Sequence, residues 1–97
     1  MEIKIERRAN IALRSLQQNE QRQIAKALEK IESAQFEDLY KDYNFKKLEN
    51  ILDKDLYTYR GNPQLRLILS IENNVCIVED IIAPDKLDRL VSNLSNK

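Results

Sequence analysis

Residues 56–82 read LYTYRGNPQLRLILSIENNVCIVEDII, and this stretch decides the fold. Two β-rich runs flank Asn73–Asn74, and asparagine tolerates the positive φ angles that a tight two-residue hairpin turn requires. Upstream, residues 61–64 (GNPQ) contain the only glycine of the chain and one of its two prolines, a composition typical of a loop. The order of strand, loop, strand, tight turn and strand predicts a three-stranded antiparallel meander.

The central strand of this meander shows which side of the sheet is the core. Every second residue from Leu65 to Ile71 is leucine or isoleucine, which indicates a pleated strand with one apolar face. With Glu72 opposite Val75 across the turn, that core face holds three cross-strand pairs, namely Leu69 with Val78, Ile71 with Cys76, and Leu65 with Ile82. The opposite face is called the outer face below, and the same register places Arg66 beside Ile81 on it.

Two tyrosines of the first strand are also expected on the outer face. A four-residue loop before Leu65 brings Tyr59 next to Arg66 and Tyr57 next to Ile68. A one-residue bulge in the first strand would undo this placement.

Composition limits the classes of function. A chain of 97 residues is expected to fold as one domain, 1–97. Sixteen acidic and sixteen basic residues leave no net charge, so there is no bulk electrostatic attraction to nucleic acid. The absence of histidine and the presence of one cysteine exclude an imidazole catalyst and a zinc site. Cys76 lies in an apolar strand and is expected to be a small buried residue.

Targeting signals are not apparent in the sequence. There is no signal peptide, transit peptide or apolar run of about 20 residues. We therefore expect a cytoplasmic protein that does not bind a membrane.

Elements on either side complete an α+β fold. Alternation over residues 1–6 predicts an N-terminal strand that joins the sheet as an edge or neighbour strand. Helical spacing of apolar residues then predicts a short helix from Ala9 and a second one from Glu20 to about Ala34, N-capped by Asn19, which together form an antiparallel helical hairpin. Residues 35–45 hold four of the six aromatic residues and are expected to be a packed connection. Pro84 begins a C-terminal helix with an apolar stripe of Leu87, Leu90, Val91 and Leu94.

This order of elements, with the helices on one sheet face, resembles the RelE/ParE superfamily of toxins from bacterial type II toxin–antitoxin pairs. The similarity is carried by Lys46-Lys47-Leu48 before the meander, by LYTYR over residues 56–60 and by LRLILSIE over residues 65–72. The resemblance implies a toxin that a cognate antitoxin neutralises. In the RelE-like branch, basic and aromatic side chains of the outer face cleave messenger RNA on the ribosome, without metal or cofactor. The ParE-like branch instead inhibits DNA gyrase.

Carried over residue by residue, the resemblance nominates seven positions. Arg66 and Arg60 match the family's strand arginines, and Lys86 stands nearest to an arginine that follows the last strand. Lys46 and Lys47 are expected to contact phosphates, and Tyr57 and Tyr59 to stack on bases. Each position also has an ordinary structural interpretation. Arg66 could pair with Glu79 or Asp80 on the next strand, and the lysines could be solvated surface residues.

Two toxin functions remain open at the level of sequence, beside a third possibility, an unrelated small α+β scaffold with no toxicity. The first is a ribosome-dependent endoribonuclease that uses these cations. The second is a binding protein, either a ParE-like gyrase inhibitor or a degenerate toxin that only holds its antitoxin. The lysines that RNA-cleaving members place on the first meander strand fall at about Leu56 and Thr58 here, which favours the second class, as does the lack of net charge. In either case the antitoxin is expected to lie over the sheet edge and the helical hairpin, covering Ile3, Ile24 and Leu28 or the terminal helix.

Overall fold

A five-stranded mixed sheet with helices packed on one face forms the molecule. The computed structural model describes residues 1–48 and 55–87. In chain order the elements are β1 (Glu2–Ile5), α1 (Arg7–Arg14), α2 (Gln18–Ser33), α3 (Phe36–Leu39), β2 (Phe45–Lys47), β3 (Leu56–Asn62), β4 (Leu65–Glu72) and β5 (Val75–Ile82). The strand order is β1-β5-β4-β3-β2, with β1 parallel to β5 and the other neighbours antiparallel. The predicted α+β class, N-terminal strand and meander are confirmed, and the N-terminal strand lies at an edge of the sheet.

Strand β2 was not predicted. Its three residues pair with β3, Phe45 opposite Tyr59, Lys46 opposite Thr58 and Lys47 opposite Tyr57. Three residues are too few for alternation to reveal a strand, and the aromatic stretch before it contains only the single helical turn α3. The predicted packed connection is nevertheless present, because Leu39 and Phe45 are buried in the core cluster and Phe36 packs against it.

Helices α1 and α2 cover the core face. Ala9 of α1 and Ile24, Ala27 and Ile31 of α2 are buried, as the apolar stripes predict. The predicted N-cap at Asn19 is wrong. Gln17 is the cap, and it forms a reciprocal capping box in which Glu20 Oε1 accepts the Gln17 main-chain N–H at 3.3 Å, so that two unpaired N-terminal amide groups are satisfied.

The predicted C-terminal helix begins where Pro84 suggested. Residues 84–87 are helical, and the Leu87 N–H donates to the Ala83 carbonyl at 3.1 Å. The rest of the predicted stripe, at Leu90, Val91 and Leu94, lies outside the described residues.

The hairpin of β4 and β5 follows the predicted register near its turn. Asn73 and Asn74 have φ angles of 51° and 62°, and the predicted pairs from Glu72 with Val75 to Leu69 with Val78 are present. The register then shifts, because Glu79 is an extra residue in β5. Arg66 therefore faces Ile82 and Leu67 faces Ile81. The predicted pairs of Arg66 with Ile81 and of Leu65 with Ile82 are wrong for this reason.

The hairpin of β3 and β4 differs more from the prediction. Only Pro63 and Gln64 form the turn, and the register shifts between Arg60 and Asn62, which makes Gly61 a bulge residue. Tyr57 consequently faces Leu69 and Tyr59 faces Leu67. Both tyrosines lie on the core face, and the prediction that they share the outer face with Arg66 is wrong.

Gly61 is needed because α2 passes close to this bulge. A Cβ atom at position 61 would collide with Cδ1 of Ile24, a side chain with no solvent exposure. The lack of a side chain therefore lets β3 approach the helix. The core between the sheet and the helices is formed by the following buried residues: Ala9, Ile24, Ala27, Ile31, Leu39, Phe45, Tyr57, Tyr59, Leu67, Leu69, Cys76, Val78 and Ile81.

Candidate functional site

Three cations lie on the outer face at one end of the sheet. Arg60 of β3 and Arg66 of β4 are directly opposite each other, and Lys46 of β2 faces Thr58, two residues before Arg60. The Arg60 N–H donates to the Asn44 carbonyl at 3.0 Å, so its peptide groups point away from β4. The two arginines therefore form a non-hydrogen-bonded pair, the kind in which opposite side chains come closest.

Such an arrangement does not stabilise the sheet. Like charges directly opposite each other on neighbouring strands are destabilising. Part of the cost is offset locally, since Arg66 Nη1 donates to the carbonyls of Asn62 and Leu65, both at 3.1 Å. Arg66 is half-buried and Arg60 is exposed. The guanidinium of Arg66 is thus held in place beside an exposed second cation, which is a suitable arrangement for an anion.

The alternative interpretation was that Arg66 pairs with a carboxylate on the next strand. The register does not place a carboxylate directly opposite Arg66. Asp80 lies opposite Ile68, and Glu79 is the bulge residue of β5. Glu79 Oε2 accepts a hydrogen bond from Ser70 Oγ at 2.6 Å, and Asp80 Oδ1 accepts the Ile81 N–H at 2.8 Å. Within residues 1–48 and 55–87, the ion pair observed is that of Lys47 Nζ with Asp55 Oδ1, at 3.8 Å.

The centre of the outer face is not open to solvent. Thr58, Ile68 and Ser70 lie on this face, next to one another across β3 and β4, and all three are buried. The accessible cationic region is therefore confined to the end of the sheet at the β3–β4 turn and to Lys46 on the edge strand.

Tyr57 and Tyr59 are part of the core, not of a binding surface. Their exposed fractions are 5% and 1%. The Tyr59 hydroxyl donates to Asp42 Oδ2 at 2.6 Å, and the Tyr57 hydroxyl lies 3.4 Å from that of Tyr40. The Tyr57 ring stacks on Phe45 with centroids 5.0 Å apart. The prediction that these two rings stack on bases is wrong, because the bulge at Gly61 turns them to the core face.

Burial and the hydrogen bonds of the tyrosine hydroxyls shift the pKa values of Tyr57, Tyr59 and Asp42. Burial, followed by the hydrogen bond and charge of Asp42, raises the pKa of Tyr59 to about 12. Burial and then the contact with Tyr40 raise the pKa of Tyr57 to about 12. For Asp42, partial burial acts upward, but hydrogen bonds from Tyr59 and Asn44 and the charge of Lys30 outweigh it, so the pKa of this carboxyl is lowered. Both phenols are therefore neutral and Asp42 is ionised at neutral pH.

The other predicted site residues are divided among different places. Strand alternation puts Lys46 on the outer face with the arginines and Lys47 on the opposite side, where it pairs with Asp55. Lys86 is exposed in the first turn after β5. Since β5 ends at Ile82 opposite Arg66, Lys86 follows the sheet at the same end as the two arginines. Cys76 is buried as expected, and burial raises the pKa of its thiol to about 11.

Sequence reasoning missed a second basic region on the helix side. A groove of about 490 Å³ lies between α2 and the end of β3, and Lys26, Lys30, Tyr43 and Arg60 are among the residues that line it. The available signal was the spacing of Lys26 and Lys30, one helical turn apart. From the sequence alone, these two lysines were interpreted as part of the solvent-exposed side of α2.

These features define the class of protein as a small α+β domain with its helices on one sheet face and a cationic end on the other. No protein-family model matches the sequence, and no curated protein sequence matches it significantly. Among solved structures, a chain in the crystal structure of the archaeal RelE–RelB complex from Pyrococcus horikoshii OT3 superimposes with a TM-score of 0.66 at 25% identity, over 84% of this chain and 92% of that one. The chain therefore has a RelE-like fold.

Membrane insertion by a helix finds no support in residues 1–48 and 55–87. None of the helices there has the length and apolar character that a membrane span requires.

Proposed function

We propose that this chain is the toxin component of a type II toxin–antitoxin pair and that it acts in the cytoplasm as a ribosome-dependent messenger RNA endoribonuclease. The observation that carries the proposal is the direct opposition of Arg60 and Arg66 on the outer face, with Lys46 on the neighbouring strand. The likeness to a structure of a RelE–RelB complex supports the same assignment.

The chemistry that these cations can supply is stabilisation of charge. When the 2′-hydroxyl of a ribose attacks the adjacent phosphorus, its proton passes to water, the bond from phosphorus to the 5′-oxygen breaks, and the 5′-oxygen takes up a proton from water. The products are a 2′,3′-cyclic phosphate and a 5′-hydroxyl, and negative charge develops on the phosphoryl oxygens during the step. Two arginines directly opposite each other on neighbouring strands, one of them with its guanidinium held by main-chain carbonyls, are suited to that charge. Arg60, Arg66 and Lys46 act here as electrostatic groups.

Expression of the chain alone in a bacterial host tests this function. We expect growth arrest together with new messenger RNA 5′ ends at codon boundaries, mapped by primer extension. Arg66→Ala should abolish both effects, and Arg60→Ala should weaken them, by about 10²-fold or more if each arginine stabilises the developing charge. Arg7→Ala is the matched control, since Arg7 is an exposed arginine at the start of α1. Full toxicity of a folded Arg66→Ala variant would refute the assignment of the site.

A second candidate function is a toxin that binds without cleaving RNA, either a gyrase inhibitor or a protein that only holds its antitoxin. Thr58 stands at a position where a lysine is expected for RNA cleavage, and it is buried. The chain also lacks net charge. Growth arrest without new RNA ends, accompanied by inhibition of supercoiling by purified gyrase, would establish the gyrase inhibitor. No arrest at all would leave binding to the antitoxin as the remaining role.

The antitoxin is proposed to bind along β1 and α2. A groove of about 350 Å³ there is lined by Ile3, Ile5, Ala25, Leu28, Glu29 and Glu32, and Ile5 is 40% exposed on an edge strand. Apolar walls with two carboxylates suit a basic amphipathic segment. Ile24, expected in this contact from the sequence, is fully buried and is excluded from it. Ile5→Glu should abolish rescue of growth by the co-expressed antitoxin while toxicity persists.

A further inference from the structure

The groove between α2 and the end of β3 is a built feature of the fold. One wall is the exposed side of α2, and the other is formed by the end of β3 and the turn before β2. Asn62 Nδ2 donates to Gln23 Oε1 at 2.9 Å and ties the two walls together. The missing side chain at Gly61 brings β3 close to α2 at the same place. The groove therefore does not depend on a side-chain rearrangement to form.

The charged residues described along the groove are basic. Lys26 and Lys30 are among the residues that line it, and none of the lining residues within 1–48 and 55–87 is acidic. Asp42 is the nearby carboxylate that attracts Lys30, but it is already engaged by hydrogen bonds from Tyr59 and Asn44. Like charges four residues apart weaken a helix slightly. In a chain with no net charge, this concentration of cations marks a local anion site.

Tyr43 adds an aromatic surface to the same groove. It is 82% exposed, and among the described residues its ring belongs to no aromatic pair, whereas Tyr40 contacts Phe36, Phe45 and Tyr57. A large exposed ring beside cations is the arrangement by which proteins bind single-stranded nucleic acid, with bases on the ring and phosphates on the cations. An acidic peptide would use the cations but would gain little from the ring.

We propose that this groove binds a single-stranded RNA segment, with Lys26 and Lys30 on its phosphates and Tyr43 stacked on a base. Arg60 lines the groove and also faces Arg66 on the outer face. It therefore connects the two basic regions at one end of the sheet. The binding site is distinct from the outer-face cations proposed to promote cleavage, and its existence does not depend on cleavage.

Binding of a short fluorescein-labelled oligouridylate to the purified protein, measured by fluorescence anisotropy without ribosomes, tests the proposal. Lys26→Ala/Lys30→Ala should weaken binding about tenfold or more and reduce the slope of log K against log salt by roughly 0.7 for each phosphate that is no longer neutralised. Tyr43→Ala should weaken binding at least about fivefold, while Tyr43→Phe should keep it, because stacking needs the ring alone.

The matched control removes the same charge elsewhere. Lys4→Ala/Arg7→Ala changes two exposed cations on β1 and α1 that do not line the groove, and it should leave the affinity nearly unchanged. An equal loss of affinity in this control, equal binding of an oligoglutamate peptide, or no binding by the unchanged protein at low salt would overturn the proposal.

The same measurement on Arg66→Ala separates this site from the proposed catalytic one. That variant should still bind oligouridylate while losing toxicity. If the protein binds oligouridylate but neither it nor any variant is toxic, the groove is established and the endoribonuclease is refuted. If the protein is toxic but does not bind oligouridylate, the groove alone is refuted.

Discussion

The two hairpins of the meander show how one residue decides which face of a sheet a side chain occupies. In the β4–β5 hairpin, Asn73 and Asn74 form the whole turn, and the strand pairs next to it are those that the sequence predicts. In the β3–β4 hairpin, a bulge at Gly61 precedes a two-residue turn. Because side chains alternate with a period of two, that single extra residue moves every side chain of β3 to the other face.

The two hairpins differ because the register of one depends on its own turn residues, whereas the register of the other involves a contact with a residue distant in the chain. Two asparagines are a local signal for positive φ, and both have it. The bulge at Gly61 fits the close approach of Ile24 on α2, 37 residues earlier in the chain. Local sequence could therefore specify the strand pairs next to the Asn73–Asn74 turn, but not the register of β3 with β4. The functional consequence is that Arg60, and not Tyr59, faces Arg66.

The largest expected effect that distinguishes the two faces of β3 is the loss of the Tyr59 side chain. Tyr59→Ala should lower the free energy of unfolding by about 3–5 kcal/mol, because it leaves a cavity in the core and removes a hydrogen bond to Asp42. Arg60→Ala, one residue further on, should change it by less than about 0.5 kcal/mol and in the stabilising direction, since it removes a like-charge pair. Urea unfolding of the two variants measures both values.

Comparable losses of stability in the two variants would contradict the register of β3. Tyr59→Phe serves as the intermediate control, because it keeps the ring and removes only the hydroxyl. Its cost should be about 1.5–3 kcal/mol, the range for a hydrogen bond to a charged group.

Alkaline pH offers a second and somewhat smaller way to separate the buried tyrosines from exposed ones. The folded pKa of Tyr59 is about 12 against an ordinary 10.0, so the folded state favours the neutral phenol. This contribution is fully present below pH 10 and is lost as the pH rises through 12, up to about 2–3 kcal/mol for two pKa units. Urea unfolding between pH 9 and 12 should show this loss. Tyr59→Phe should lose less stability over the same range, and an identical loss would contradict the burial.

The candidate site, like the strand register, could be predicted from the sequence only where it depends on contacts between residues close in the chain. Arg60 and Arg66 were nominated by resemblance, and the structure brings them together because the bulge at Gly61 shifts the pairing of β3 with β4. Lys46 and Lys47 were nominated as a pair, but alternation separates them. Tyr43 and Lys26 could not be linked from the sequence, because the helix and the turn that carry them meet only in the tertiary structure. The spacing of apolar residues predicted the longer helices and strands. Tertiary contacts determined which of their side chains lie next to one another.

The bulge itself can be tested by filling the space at Gly61. Gly61→Ala should destabilise the protein by about 1–2 kcal/mol, because the new methyl group overlaps Cδ1 of Ile24. Ile24→Val removes that atom, at a cost of about 0.5–1.5 kcal/mol by itself. In the double variant the two costs should be less than additive by at least about 0.5 kcal/mol, as measured by urea unfolding. Strict additivity would mean that the bulge does not contact α2.

The turns should respond in opposite ways to the same small change. Asn74 has a φ of 62°, which costs an asparagine free energy that glycine does not incur. Asn74→Gly should therefore raise the free energy of unfolding by about 0.5 kcal/mol, and Asn74→Ala should lower it by about 1 kcal/mol. Within residues 1–48 and 55–87, positive φ at non-glycine residues is confined to Asn73 and Asn74, so Gln64→Gly in the other turn should destabilise slightly through the added freedom of the unfolded chain. If Asn74→Gly and Gln64→Gly changed the free energy of unfolding in the same direction, the two turns would not differ in the way that their φ angles indicate.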